Sequence, residues 1–182
     1  MGLRLADVCI DGSVHKAPCG GEGTGKSPAD RRKLGWKWSA ATDAAGTPVG
    51  WAAGGANRND IMLFEPTIAE IERRELHHDI DTVHLDRGYI GARVDRATHK
   101  AGITDIVRPS RRKPNSSSAK TASAPLGLRW TVERTNSRLS NYGQLRRNTD
   151  RRPEHRLAQL ALAVTLIITI KLIDHRNRWQ PQ

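Results

Sequence analysis

Val8-Cys9-Ile10-Asp11-Gly12-Ser13 and Thr82-Val83-His84-Leu85-Asp86-Arg87-Gly88-Tyr89 are the two stretches that decide the predicted fold. In each, an apolar run with strand character is followed by an aspartate, so we expect Asp11 and Asp86 at strand ends. A third acid, Glu133, lies in a stretch with helical character. Carboxylates at neighbouring strand ends, joined by one from a packed helix, can hold two divalent cations roughly 4 Å apart. The pattern therefore predicts metal-dependent chemistry at phosphorus.

The remaining hydrophobic patterns predict an alternation of strands and helices. The aspartates at positions 79 and 81 precede the apolar run, whereas Asp86 follows it, at the end of a strand where sheet-edge sites form. The predicted strands cover about 8–11, 34–40, 47–51, 82–86 and 103–107, and the predicted helices cover about 61–71, 91–101, the stretch around Glu133, and 153–174. This order matches an α/β, ribonuclease-H-like fold with a mixed five-stranded sheet flanked by helices. We expect a single domain over residues 1–182, with a basic flexible loop at about 109–125 and C-terminal helices at about 128–174.

The charge of the chain favours a polyanionic partner. Its 182 residues include 30 Lys and Arg against 19 Asp and Glu, which gives a formal net charge of +11. Twelve of the basic residues lie between Arg108 and Arg152, where only Glu133 and Asp150 oppose them. Nearly all of the surplus positive charge therefore surrounds one of the three candidate metal ligands, which favours nucleic acid as the partner.

Other features argue against other classes of protein. Cys9 and Cys19 lack paired metal-site spacing and are expected to be free thiols in a reducing compartment. No secretory signal is visible at the N-terminus, and the longest apolar run, Leu160 to Ile170, predicts a buried helix, because a membrane span needs roughly 18 such residues. The Gly-rich stretch 20–27 fits the P-loop pattern by letter, but no apolar periodicity follows it to build the required helix. His77, His78 and His84 are more typical of solvated loops than of a metal cluster.

At its acidic positions the chain resembles the catalytic part of bacterial insertion-sequence transposases of the DDE type. The resemblance rests on three motifs in order along nearly the whole chain, and on further stretches after the first acid. These motifs are Asp11-Gly12-Ser13, Asp86-Arg87-Gly88-Tyr89 and Val132-Glu133-Arg134-Thr135, and the further stretches are Gly25-Lys26-Ser27-Pro28, Gly35-Trp36-Lys37 and Asp43-Ala44-Ala45-Gly46.

Two departures from that group stand out. Many of its members have a Tyr three residues before the Arg that precedes the third acid and a Lys seven residues after the acid, where this chain has Leu126 and Ser140. Arg129 does match, four residues before Glu133 and on the same helical face. Only ten residues precede Asp11, so the chain resembles a catalytic half: a second reading frame, a truncated copy or a product of a mis-set start.

The resemblance implies metal-dependent DNA cleavage and strand transfer during transposition of an insertion sequence. Asp11, Asp86 and Glu133 would be catalytic and would bind two Mg²⁺ or Mn²⁺ ions, while DNA would contact a set of basic and aromatic side chains. This set comprises Arg129, Trp130, Arg134, Arg138, Arg146 and Arg147. Expected partners are the element ends and target DNA, a second copy of the chain on DNA, and a separate upstream DNA-binding polypeptide, with no membrane involved and a cytoplasmic, nucleoid-associated location in a bacterium.

Two other functions stay open from the sequence. One is an inactive transposase remnant that still binds DNA without sequence preference. The other is a ribonuclease-H-like nuclease that cleaves without joining strands.

Overall fold

The computed structural model describes residues 2–109 and 128–179. The predicted basic loop, apart from residue 109, and Leu126 lie outside the described residues. Six strands are formed, β1 Asp7–Lys16, β2 Gly25–Lys26, β3 Leu34–Asp43, β4 Pro48–Gly55, β5 Thr82–His84 and β6 Asp105–Val107. Five α-helices accompany them, α1 Ile61–Glu72, α2 Ala92–Lys100, α3 Trp130–Ser140, α4 Gly143–Arg146 and α5 Pro153–Trp179, with a short 3₁₀ turn at His77–Asp79.

The strands form one mixed sheet in the order β2-β3-β1-β5-β6, with β4 also paired to β3. The N-terminal strands β1, β3 and β4 pair antiparallel, whereas β5 and β6 join β1 in parallel. This confirms the predicted α/β class with a mixed sheet flanked by helices. The sheet has six strands and not the predicted five. The additional strand is β2, whose two residues pair with Gly35 and Leu34 of β3 and are too few to show a periodic pattern.

The position of Asp11 within its strand differs from the prediction. Asp11 lies in the middle of the ten-residue β1, opposite Ala40 of β3, and does not end the strand. The strand continues because residues 12 to 16 keep their antiparallel partners on β3. On its other edge β1 loses its partner, since the parallel pairing with β5 stops at Cys9 and His84. Asp11 therefore lies two residues beyond the end of the β1–β5 ladder.

The sheet separates two apolar cores. One core packs Val8 and Ile10 of β1 against Phe64 and Ile68 of α1. The other contains side chains that face α3 and α5. Trp36 and Trp38 belong to this second core and are 1% and 0% exposed.

Helix α5 corrects the prediction of a buried C-terminal helix. Its inner face packs on the sheet, with Leu160, Val164 and Ile167 buried. Its outer face is exposed and apolar, and Leu162 is 61% exposed. By length and composition alone, the helix could cross a membrane. An 18-residue stretch of it has a mean hydropathy of 1.9, and 22% of that stretch is buried. The sequence could not separate the two faces, because apolar residues occur all round the helix.

The Gly-rich stretch at 20–27 is a loop held by one buried arginine. The Arg156 side chain of α5 is 2% exposed and donates to the carbonyl oxygens of Gly20, Glu22 and Asp150. The stretch ends in strand β2, and residues 27–33 form turns and not a helix. A P-loop needs a helix N-terminus facing the phosphates, which the turns at 27–33 do not supply.

We predict that Arg156→Met destabilises the fold by about 2–4 kcal/mol, because the carbonyl oxygens of Gly20, Glu22 and Asp150 all lose the charge-assisted donor that holds them together. Urea unfolding monitored by tryptophan fluorescence measures the change. Arg152→Met, one helical turn away on an exposed side chain, is the matched control and should change stability by less than about 0.5 kcal/mol. Equal stability of the two variants would contradict the anchoring role.

Candidate active site

The three candidate acids lie on three separate elements. Asp11 is on central strand β1, Asp86 follows β5 by two residues, and Glu133 lies in the first turn of α3. Because β1 and β5 run parallel, the chain segments that follow their ladder emerge at the same edge of the sheet. Helix α3 packs against β1 and β3 on one side of that edge. The fold therefore directs all three residues towards one region.

Asp11 carries the clearest electrostatic signature of the three. The pKa of Asp11 is raised to about 6, chiefly by burial; the negative charges of Asp86 and Glu133 also act to raise this pKa, while the hydrogen bond from Gly12 and the charge of Arg129 act to lower it. The influence of both other acids on this carboxyl shows that they lie within electrostatic reach of it. Because ionisation of Asp11 beside two other carboxylates is unfavourable, binding of a cation at this site would be favourable.

Each of the other two acids has a partner within the protein. Asp86 Oδ1 accepts a hydrogen bond of 2.7 Å from the backbone N–H of Gly88, and Glu133 Oε1 pairs with the Arg129 guanidinium at 3.2 Å. Across residues 2–109 and 128–179, no three His, Cys, Asp or Glu side chains are already grouped closely enough to hold a metal ion. Direct convergence of the three carboxylates on one metal pocket therefore stays a prediction.

Behind Asp11, on the α1 side of the sheet, lies a polar group that the sequence did not single out. The Lys37 ammonium, on a residue 4% exposed, contacts Asp60 Oδ1 at 2.8 Å. Gly12 makes room for this pair, because a Cβ at that position would overlap the Asp60 carboxylate. Burial, followed by the charges of Asp60 and Asp11, raises the pKa of the buried Tyr89 hydroxyl.

Asn136 is a second residue that sequence reasoning missed. It is 6% exposed, and its Oδ1 accepts a 2.9 Å hydrogen bond from Trp38 Nε1. Its Nδ2 lies 3.5 Å from Asp11 Oδ2. The available signal was its spacing, because a residue three positions after Glu133 lies on a neighbouring helical face.

The candidate DNA contacts fall into two groups. The first is on α3 and its N-terminus, where the Arg134 guanidinium lies 4.6 Å from the centre of the Trp130 ring and also donates to Ala45 O. Trp130 is 49% exposed, and Arg138 of the same helix is exposed as well. The second group, Arg146 and Arg147, lies around α4 and lines a separate cavity. The structure therefore does not bring all six candidates together.

The histidines form no cluster with metal-site geometry in the described part of the chain. His77 and His78 place their rings 3.8 Å apart, while His84 Nε2 lies 2.7 Å from Asp7 Oδ1. Cys9 is buried and Cys19 is exposed, and both are free thiols, as predicted.

Comparison with known proteins agrees with this geometry. Residues 4–169 match the family described as the transposase DDE domain. The chain is also 35% identical over 149 residues to a protein of Burkholderia cepacia described as a transposase for insertion sequence element IS402. The aligned region covers 79% of this chain and 67% of that protein.

We predict that Asp11→Asn stabilises the metal-free protein at pH 8. The folded pKa of Asp11 lies above its unfolded value of 3.8, so its contribution to stability is present below that value and is lost as the pH rises through about 6. Asparagine removes the unfavourable charge, and we expect a gain of about 1–2 kcal/mol in the free energy of unfolding, allowing for partial exposure.

Urea unfolding in EDTA at pH 4 and pH 8 measures this gain. The greater stability of Asp11→Asn should appear only at pH 8. In a separate measurement with Mg²⁺ in place of EDTA, the ion should stabilise the parent but not the variant. Asp105→Asn, on an exposed residue of β6, is the control and should change neither quantity. A less stable Asp11→Asn protein at pH 8 would refute the electrostatic account.

Proposed function

We propose that this chain, which belongs to the transposase DDE domain family, catalyses metal-dependent DNA strand cleavage and strand transfer through Asp11, Asp86 and Glu133. The observation that carries the proposal is the half-buried Asp11 carboxyl on the central strand, whose pKa is raised by burial and by the charges of the other two acids. Membership of the family gives transposase function and DNA as the partner. The chemical steps and the residues that perform them are our proposal.

The three carboxylates suit Mg²⁺ or Mn²⁺. Hard oxygen ligands favour such ions, and a bound cation would stabilise the ionised form of Asp11 against burial and the two nearby negative charges. Asp11, Asp86 and Glu133 would hold two ions, which when bound would activate the attacking oxygen and stabilise the leaving oxygen at phosphorus. Asp86 could bind an ion through Oδ2 while Oδ1 keeps its bond from Gly88, whereas Glu133 would give up its pair with Arg129.

The surrounding residues would position these carboxylates. Asn136, held by Trp38 Nε1, fixes the side of Asp11 that faces α3. On the opposite side of the sheet the Lys37–Asp60 pair fills the space left open by Gly12. Arg129, once released from Glu133, would be free to bind a phosphate oxygen beside the reacting centre. Such contacts orient the DNA without reading its sequence.

The remaining basic residues would bind the DNA backbone on either side of the reacting phosphate. Arg138 is exposed on α3, and Arg146 and Arg147 are exposed near α4. Trp130 would offer a ring for base stacking, with Arg134 as its cationic partner. Element ends and target DNA would use the same surface in successive steps. A second copy of the chain on DNA, an upstream DNA-binding polypeptide and a nucleoid-associated cytoplasmic location belong to this proposal.

We predict that Asp86→Asn lowers Mg²⁺-dependent strand cleavage at least about 100-fold while DNA binding persists or strengthens. The substitution keeps the size of the side chain and its acceptor for Gly88 N–H, but removes a negative ligand. Cleavage of labelled duplex DNA on sequencing gels, with and without Mg²⁺, measures the effect. Asp81→Asn, on an exposed residue at the other end of β5, is the matched control and should cleave like the parent.

The same assay separates the proposed function from its two rivals. Products in which a 3′-end is joined to a second DNA molecule support a transposase, whereas cleavage without joining identifies a nuclease. DNA binding without any Mg²⁺- or Mn²⁺-dependent cleavage identifies an inactive remnant. Equal cleavage by Asp86→Asn and the parent would argue against Asp86 as a ligand.

We predict that this chain alone binds duplex DNA with little sequence preference and strong dependence on salt. Phosphate contacts supply affinity with a log–log slope of about −0.9 per neutralised phosphate. Replacing Arg146 and Arg147 by Ala should reduce the slope by up to about two units, whereas Arg96→Ala with Lys100→Ala, an equal charge loss on exposed α2 residues, should leave it unchanged. Lys26→Ala should retain activity. Affinity indifferent to salt, or strong preference for one short sequence, would contradict this binding mode.

A further inference from the structure

We propose that a cavity at the outer end of β1 receives one unpaired nucleotide of the DNA strand being processed, a proposal that rests on the function proposed above. The cavity measures about 680 Å³. It lies between β1, the segment 27–35 and the short helix α4, and its walls include His15, Lys16, Asp30, Gly143, Arg146 and Arg147. It encloses none of the three catalytic candidates, so it is a separate site.

Strand β1 connects this cavity directly to the proposed catalytic centre. Asp11, Ser13 and His15 alternate along one face of the strand, the face covered by the C-terminal helices. Four residues at about 3.3 Å each place His15 roughly 13 Å from Asp11. A DNA strand that crosses Asp11 with one phosphate can therefore reach the cavity with a nucleotide only a few positions away.

The charge of the cavity suits a nucleotide phosphate. Lys16, Arg146 and Arg147 provide three positive charges against the single carboxylate of Asp30 among the lining residues. Within residues 2–109 and 128–179, the side chains of Arg146 and Arg147 have no ion-pair or hydrogen-bond partner. Two adjacent guanidinium groups free of protein partners are suited to a phosphate, which arginine binds in a bidentate manner.

The walls of the cavity are fixed by interactions within the protein. Trp36 Nε1 donates to Leu145 O at 3.2 Å, and the backbone N–H of Asn148 donates to Lys16 O at 2.8 Å, so α4 is tied to the strands. The His15 ring is stacked on Trp38 with centroids 3.8 Å apart, and its Nε2 lies 2.7 Å from Ser13 Oγ. Burial lowers the pKa of His15 to about 4, so this wall offers an uncharged aromatic ring at neutral pH.

The shape of the site selects an unpaired nucleotide over intact duplex. Duplex DNA presents its phosphates on a convex surface, which contacts protruding side chains and does not fill a cavity. Pockets of roughly 300–1,000 Å³ accommodate small molecules of nucleotide size. Enzymes that act on DNA strands place displaced nucleotides in such pockets, with stacking on aromatic rings and ionic contacts to the phosphate.

The test compares two DNA substrates by fluorescence anisotropy in EDTA, so that binding is independent of cleavage. One substrate is a blunt duplex. The other, called the forked substrate, is the same duplex with three unpaired nucleotides at one end. The parent chain should bind the forked substrate about tenfold more tightly. Gly143→Phe fills the cavity without removing charge, because a Cβ at Gly143 meets no atom within 4 Å. It should abolish the preference for the fork and leave duplex affinity unchanged.

Ala69→Phe, which adds a phenyl group on an exposed position of α1, is the control and should keep the preference. Asp30→Asn is a second, independent variant: removing the one carboxylate of the cavity should increase the preference about threefold. Equal affinity of the parent for both substrates, an unchanged preference in either Gly143→Phe or Asp30→Asn, or equal loss of affinity for both substrates in Gly143→Phe would overturn the proposal.

The outcomes also distinguish this proposal from the proposed function. A preference for the fork that Gly143→Phe removes, in a chain without Mg²⁺-dependent cleavage, would support the nucleotide site and refute the catalytic function. Metal-dependent cleavage and joining by a chain with no preference for the forked substrate would support the catalytic function and refute the nucleotide site.

Discussion

Burial of a carboxyl group on the central strand is the constraint on which the rest of the structure depends. Strand β1 is flanked by β3 and β5 and covered on both faces, yet it carries Asp11 in its middle. Burial and the charges of Asp86 and Glu133 together make ionisation of Asp11 costly. A fold with no functional use for this residue would be more stable with an apolar side chain there. This cost in stability indicates that Asp11 has a role in chemistry and not in packing.

The surroundings of Asp11 differ on the two faces of the sheet. On the α3 face, Trp38 and Asn136 form a direct link between β3 and the helix that carries Glu133. On the α1 face, Lys37 neutralises Asp60 behind Gly12. The glycine after the first acid thus has a steric reason, because a side chain there would displace the Asp60 carboxylate. Both arrangements depend on β3, whose residues face the two cores alternately.

Local patterns sufficed for the fold class and most elements, but not for features set by tertiary pairing; the catalytic role of the three acids stays a prediction. The alternating positions of Trp36 and Trp38 on β3 place both on one buried face, and the four-residue spacing of Arg129 and Glu133 places them on one helical face, where their side chains pair. The end of β1 could not be predicted, because it depends on how far β3 pairs with residues 12–16 and not on residues 8–11. The role of Asn136 needs the register between α3 and β3. Likewise, the exposed outer face of α5 is set by what packs against the helix.

The turn between β3 and β4 holds helices α3 and α5 in position. Asp43 is fully buried and accepts hydrogen bonds from the backbone of Ala45 and Thr47, so the turn is rigid. Carbonyls of this turn then accept from α3, through Thr135 to Gly46 O at 2.9 Å, and from α5, through Lys171 to Ala45 O at 2.8 Å.

Gly46 has a φ of +74° and lies where a Cβ would crowd α3, so both its conformation and its closeness to the helix favour glycine. The motif Asp43-Ala44-Ala45-Gly46, which supports the family resemblance, therefore acts through structure: it anchors the helix that carries Glu133. A change in this turn would move the third acid relative to Asp11 without touching either carboxylate. Its effect on activity would then come from lost geometry and not from lost chemistry.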